Sequence, residues 1–252
     1  IKKKINFVIT NMILQIEKKV FDWVKKNKLN VIIHLAAKVP IKEVNKNKKK
    51  TKKINYFGTK NLVDACIKEN INWFFFASTS HVYRSSKKKI LEKNKTAPIS
   101  YYGKTKLLAE KYIIKNFEKH GISYCIGRIF STTNINQKKN YLVPDLKNKI
   151  KKNKGTLILK NLNHYRDFIS MKDLSKIIFI LLNKKFKGII NMASGKKIHL
   201  KLIAKIILKK FKKKNFRFQD NKKPTFLIGN INRLKKICKY EPSIKINNML
   251  FK

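Results

Sequence analysis

Along the first half of the chain, short apolar runs alternate with longer stretches of helical period. Such alternation predicts strand–helix–strand units building a parallel sheet that is covered on both faces. Ile5–Thr10 reads as a strand, Met12–Lys26 as a helix with apolar positions at Leu14, Val20, Phe21 and Val24, and Val31–Leu35 as a buried strand. A helix follows at Asn55–Lys68, then the continuous apolar strand Trp73–Ala77, a helix at Tyr101–Phe117 and a strand at Ser123–Ile129. Beyond Phe130 the pattern loosens into the polar stretch Ser131–Asn140. It resumes with a helix at Pro144–Ile150, a strand at Thr156–Leu159, a helix at Lys172–Leu182, a strand at Gly188–Met192 and a helix at Leu200–Phe211. The predicted class is α/β. A doubly wound parallel sheet lacking its first strand–helix–strand unit occupies residues 1–130, and a smaller lobe occupies 131–252, from which about 164–194 returns to the sheet.

At 252 residues and 43% hydrophobic, the chain can bury one substantial core with a smaller lobe against it. Its most apolar run, Ile177–Leu182, falls well short of the roughly 18 residues that span a bilayer. The opening Ile-Lys-Lys-Lys has no initiator Met and no apolar signal core, so a cytoplasmic protein is expected. Cys66, Cys125 and Cys238 are far apart and the five histidines lack ligand spacing, so neither a redox dithiol nor a metal site is expected.

The formal charge of +49 changes the picture less than its size implies, because it is almost all lysine. Five arginines (Arg84, Arg128, Arg166, Arg217 and Arg233) stand against 57 lysines. Nucleic-acid readers gather guanidinium forks and aromatic rings on one face, whereas these lysines run along almost the whole chain. Diffuse attraction to polyanions is expected, without a specific nucleic-acid site. Runs such as Lys48–Lys50 and Lys212–Lys214 read as solvated faces. Each arginine, by contrast, marks a position where a planar fork is wanted.

Glycine usage is informative by position. The first glycine is Gly58, and no glycine cluster stands where a strand turns into a helix. A dinucleotide's pyrophosphate needs such a cluster, so that backbone amides can approach it.

A Tyr and a Lys four residues apart share a helix face, where the ammonium can ease ionisation of the phenol. With nine tyrosines and 57 lysines in 252 residues, chance alone gives about two such pairs, and three occur: Tyr56/Lys60, Tyr83/Lys87 and Tyr102/Lys106. Only Tyr102 opens a helix that follows an apolar strand ending in hydroxyls.

That stretch, Tyr102-Gly-Lys-Thr-Lys106-Leu-Leu-Ala-Glu110, resembles the active-site helix of the NAD-dependent epimerase/dehydratase family, the extended short-chain dehydrogenase/reductases. Phe76-Ala-Ser-Thr79-Ser-His-Val-Tyr83 resembles the hydroxyl-bearing strand end before it. His34-Leu-Ala-Ala37, Asn55-Tyr-Phe-Gly58-Thr59-x-Asn61-Leu62, Tyr165-Arg166-Asp167-Phe168 and Asn191-Met-Ala-Ser-Gly195 follow in the family's order. The resemblance implies a Rossmann-like fold that binds NAD or NADP and acts on a sugar carried by a nucleoside diphosphate. It also implies a chain that begins after the phosphate-binding loop and binds NAD poorly by itself, and it leaves a homodimer open.

Residue by residue, the resemblance makes Tyr102 the general acid/base, with its phenol brought toward neutrality by Lys106 and the oxidised nicotinamide. Lys106 would hold the nicotinamide ribose, and Thr79 (or Ser78) the reacting sugar oxygen. Asn11, Met12, Leu35, Ala36, Ala37, Asn55 and Ser78 would line the cofactor. Ser80, His81, Ser131 and Arg166 would face the substrate, with Arg166 clamping its diphosphate and Arg128 on the strand leading to the nicotinamide. An ion pair to Asp167 or Asp173 is the alternative use of either arginine.

Three departures limit what carries over. Arg84 replaces a glycine, Ser131 stands where many relatives have a phosphate-contacting asparagine, and Ser80-His81 replaces the Asp-Glu pair of 4,6-dehydratases. The expected reaction is therefore epimerisation at C4 or reduction of a 4-keto sugar. A non-catalytic nucleotide-binding relative and, below it, a polyanion binder are the other readings.

Overall fold

The computed structural model describes residues 17–39, 41–138 and 140–251. The strand expected at Ile5–Thr10, the first residues of the Met12–Lys26 helix, and Asn11 and Met12 lie outside them. In chain order the elements begin with α1 (Glu17–Lys26), β1 (Val31–His34), α2 (Ile41–Lys46), α3 (Lys48–Lys52), a π-helical turn (Lys53–Phe57) and α4 (Gly58–Lys68). Then come β2 (Trp73–Thr79), a 3-10 turn (Ser80–Val82), α5 (Tyr101–Lys119), β3 (Ser123–Ile129), α6 (Leu142–Lys152), β4 (Leu157–Lys160) and β5 (Tyr165–Arg166). The rest comprises α7 (Met171–Asn183), β6 (Gly188–Met192), β7 (Ile198–His199), α8 (Leu200–Lys210), β8 (Phe216–Gln219), β9 (Phe226–Leu227), α9 (Asn232–Cys238) and α10 (Ile246–Phe251).

β1, β2, β3 and β6 pair in that order, all parallel, in the doubly wound, Rossmann-like arrangement. Successive strand residues point to opposite faces, and β2 is apolar on both. Trp73 and Phe75 join a cluster with Ile177 and Leu181 of α7 and Leu234 of α9. Phe74 and Phe76 join one with Val20 and Val24 of α1, Leu62 and Cys66 of α4, and Ile113 and Phe117 of α5. Burial on both faces is why these strands read as unbroken apolar runs rather than alternating ones. A third cluster unites α6, β4, α8 and α10 through Val143, Ile150, Leu157, Ile203, Ile207 and Leu250. Among the described residues no helix is long and apolar enough to cross a membrane.

Several boundaries differ from expectation. β1 ends at His34, where its pairing with Phe76 stops, and Leu35 is 60% exposed rather than buried. The Asn55–Lys68 helix starts as a π turn and becomes α-helical only at Gly58. Lys48–Lys50 is an exposed, solvated run as expected, and it is helical because Asn47 caps it by accepting the Lys50 N–H at 2.8 Å.

Candidate active site

The strands of the main sheet run parallel, so the ends of β1, β2, β3 and β6 gather along one edge, where open α/β sheets bind ligands. α5 begins over that edge because Ser100 caps it, its hydroxyl accepting the Gly103 N–H at 3.1 Å. Gly103 packs flush against the 3-10 turn: a Cβ there would lie 2.3 Å from the His81 carbonyl oxygen. This close approach carries Tyr102 onto Thr79, whose side chains hydrogen-bond, and sets the Tyr102 ring edge-on to His81, with centroids 6.1 Å apart. Gly103→Ala is therefore expected to cost about 1–3 kcal/mol in denaturant unfolding. An unchanged midpoint would mean that the turn moves aside freely.

Lys106 lies one helical turn beyond Tyr102 and is 1% exposed, with its ammonium 3.8 Å from the centre of the Phe76 ring. Burial pulls its pKa down to about 7 against the opposing pull of the Glu110 carboxylate. Burial likewise raises the Tyr102 phenol above its ordinary value, and the Thr79 hydrogen bond offsets only part of the rise. The expectation that Lys106 brings the phenol toward neutrality is thus not met by the protein's own groups. Desolvation disfavours both charged forms and outweighs their mutual attraction. His34, at the end of β1, is held neutral by burial and by the Lys106 charge, with a pKa of about 3, and its Nε2 meets the Thr59 hydroxyl at 2.9 Å.

The residues expected to line the cofactor divide by geometry. Leu35 and Ala36 are exposed and Ala37 is half-buried, just past the end of β1. Asn55 instead is fully buried and committed internally. Its amide accepts the Lys38 N–H at 2.7 Å and donates to the Lys38 carbonyl at 3.0 Å and to Thr105 at 3.2 Å. Asn55 therefore fastens the segment after β1 to the first turn of α5, rather than extending outward. Ser78 is also turned away from Tyr102, since its hydroxyl donates to Glu110.

On the far side, Arg166 is half-buried, and its guanidinium donates to the Tyr165 carbonyl at 2.7 Å and to the Thr225 carbonyl and hydroxyl at 3.1 and 3.0 Å. All three acceptors are neutral, and burial lowers its pKa to about 10. The carboxylates that might have paired with it are engaged elsewhere. Asp167 accepts from Ser194, Gly195 and Gly229, and Asp173 from Ser170 and Tyr240. Arg166 lies close enough to His81 that its charge, after burial, helps lower the imidazole to about 4. Ser80 is buried, its carbonyl closing the 3-10 turn by accepting the Tyr83 N–H. Ser131 is half-buried and bridges to Phe168, beside Arg166 and Asp167. The site thus brings together Thr79, Tyr102, Lys106, His81 and Arg166.

Arg128 is not part of that opening. It forms a buried ion pair with Glu110 at 2.7 Å and donates to Tyr83 and to the Glu92 carbonyl. Neither expected carboxylate is its partner. Tyr83, the tyrosine of a second Tyr/Lys pair, serves this network, donating to Asn191 at 2.7 Å. Tyr56, of the third pair, packs edge-on against Tyr112, while Lys60 pairs with Asp64. Sequence reasoning also missed Tyr141, at the N-terminus of α6, whose phenol is near enough to influence Tyr102.

The chain is similar to several known proteins. GDP-6-deoxy-D-talose 4-dehydrogenase of Aggregatibacter actinomycetemcomitans is 30% identical over 175 residues, 68% of this chain and 58% of its own length. An uncharacterized UDP-glucose epimerase of Bacillus subtilis is 27% identical over 194 residues, 75% of this chain and 61% of its own length. The chain therefore spans about three-fifths of these curated relatives. Among solved structures, RMD from Pseudomonas aeruginosa complexed with NADPH superposes with a TM-score of 0.87 at 20% identity, covering 97% of this chain and 86% of that one. The UDP-glucose 4-epimerase of Thermus thermophilus in complex with NAD gives 0.82 at 16%, over 94% and 80%. The model of the NAD dependent epimerase/dehydratase family matches residues 3–193, and with the fold and the Tyr102 helix described above, the chain belongs to that family.

Proposed function

We propose that the protein is an NAD(P)-dependent enzyme of nucleotide-sugar metabolism that exchanges hydride at C4 of the sugar, as a 4-epimerase or a 4-keto-sugar reductase, with Tyr102 as acid/base. The observation that carries this reading is the placing of Tyr102 at the sheet's carboxyl edge, its ring 6.1 Å from that of His81 beside the hydroxyl end of β2, with Lys106 buried one turn away. The residues present fit the nicotinamide half of the cofactor. Leu35, Ala36 and Ala37 offer an apolar, small-residue border past β1, and Lys106 offers a buried ammonium one turn beyond Tyr102. When bound, NAD(P) supplies a hydride acceptor and, in its oxidised form, a positive charge beside the phenol.

Each step assigned to this chain follows from a group already placed. Tyr102 takes the proton of the C4 hydroxyl and returns it, Thr79 fixes that oxygen, and Lys106 holds ribose hydroxyls and favours the phenolate. A neutral imidazole at His81 hydrogen-bonds the sugar without adding charge. Arg166, a half-buried fork surrounded by neutral acceptors, receives the diphosphate. Residues 131–252 supply most of this substrate side, Ser131 included. A nucleic-acid role is not needed to account for the lysines.

The experiment is a comparison of Arg166→Lys with the parent enzyme. Substrate binding should weaken by roughly 1–3 kcal/mol, because a point charge replaces a fork, while cofactor affinity holds. An unaltered substrate dissociation constant would remove the diphosphate from this site.

A further inference from the structure

Tyr102, Lys106 and Glu110 are spaced four apart on α5 and so share one face of the helix. That face packs on β2. Lys106 stands over Phe76, and Glu110 takes the hydroxyl proton of Ser78, two residues further along the same strand face. Glu110 is held from behind by β3. Arg128 Nε lies 3.1 and 3.2 Å from its two oxygens, and a terminal guanidinium nitrogen lies 2.7 Å from Oε2. All three side chains, Lys106, Glu110 and Arg128, are buried.

We propose that Glu110 is a positioning residue for the reaction: paired with Arg128 and one helical turn beyond Lys106, its carboxylate governs how much positive charge Lys106 carries beside Tyr102. This rests on Tyr102 and Lys106 being the reacting pair. The argument is one of competition for a single buried anion. A carboxylate shared with no other cation would hold Lys106 firmly protonated. Here the guanidinium takes three contacts spread over both oxygens and Ser78 takes a further lone pair, so Lys106 feels a partly neutralised carboxylate. Among the described residues the other groups facing Lys106 bring no second carboxylate, only the cation–π contact of the Phe76 ring. His34 from β1 is neutral, Tyr102 from α5 is an un-ionised phenol, and β2 presents the Phe76 ring. The result is a lysine poised near neutrality, as burial alone already favours. The Arg128 anchor extends to Tyr83 and Asn191, so the balance is also tied to β6.

The test uses the 252-residue chain labelled with 15N-lysine, without nucleotide, and follows the side-chain resonance that vanishes in Lys106→Met. Glu110→Gln should move its titration midpoint down by about half a pH unit or more, and Arg128→Gln should move it up. Ser78→Ala, a milder change that unfolds less readily, should also move it up, since the carboxylate loses a hydrogen bond. Shifts of opposite sign support the proposal. An absent shift, or a shift opposite to the predicted sign, in any variant that folds overturns it. Because no turnover is measured, this failure is separable from failure of Tyr102→Phe to lose activity.

Discussion

Tyr102→Phe is expected to lose hydride exchange by at least about two orders of magnitude, the usual size of a general acid/base contribution. The fold should survive, because the phenyl ring keeps its edge-on contact with His81 and only the hydrogen bond to Thr79 is lost. Tyr56→Phe and Tyr83→Phe are the controls. Tyr56 packs against Phe57 and Tyr112, so its hydroxyl is remote from the chemistry. Tyr83 anchors Arg128 and Asn191, so its loss should lower stability while leaving activity per folded molecule near the parent's. Equal losses of activity at Tyr56 would mean that the wrong pair of the three had been chosen.

Lys106→Met should abolish activity and yet stabilise the protein in the absence of nucleotide. A lysine whose pKa falls on folding makes the native state bind protons less readily than the unfolded chain. Its penalty is fully present below about pH 7 and disappears as pH rises toward 10.5, so stability gains with pH across that window. Removing the ammonium should therefore raise stability near neutral pH by something on the order of 2–4 kcal/mol and flatten that part of the pH profile. Urea titrations of both proteins at several pH values check this. A less stable methionine variant would mean that the ammonium is well paired in the folded protein. A residue kept at such a cost is one retained for function rather than for the fold.

How much of this was readable in advance depends on length and on burial. β2, β3 and β6 are long enough, and buried enough on both faces, to show as apolar runs, and α5 and α7 show their period over three or more turns. The two-residue strands β5, β7 and β9 are too short to carry any period. α3 was hidden because lysines dominate it and its start is set by the Asn47 cap. At the site, Tyr102 and Lys106 were singled out by context, not by spacing. The pairing of Arg128 with Glu110 could not be read, because it depends on which face of α5 meets β3. Asn55 and Ser78 were placed correctly along the chain, but their side-chain directions follow from local hydrogen bonds. Tyr141 sits after a polar stretch that offers no pattern at all.

The central claim is hydride exchange at C4 without elimination. A 4,6-dehydratase must remove the C5 proton and protonate the departing C6 hydroxyl, a task needing an acid and a base together. Where those enzymes use an Asp-Glu pair this chain has Ser80, which is too weak an acid, and His81, which burial and Arg166 hold neutral down to about pH 4. The direct measurement is to incubate the enzyme with NAD and several nucleoside-diphosphate hexoses in deuterated water, and to follow C4, C5 and C6 by NMR. Inversion at C4 with no solvent deuterium on carbon is the predicted result. A 4-keto-6-deoxy product labelled at C6 would contradict it.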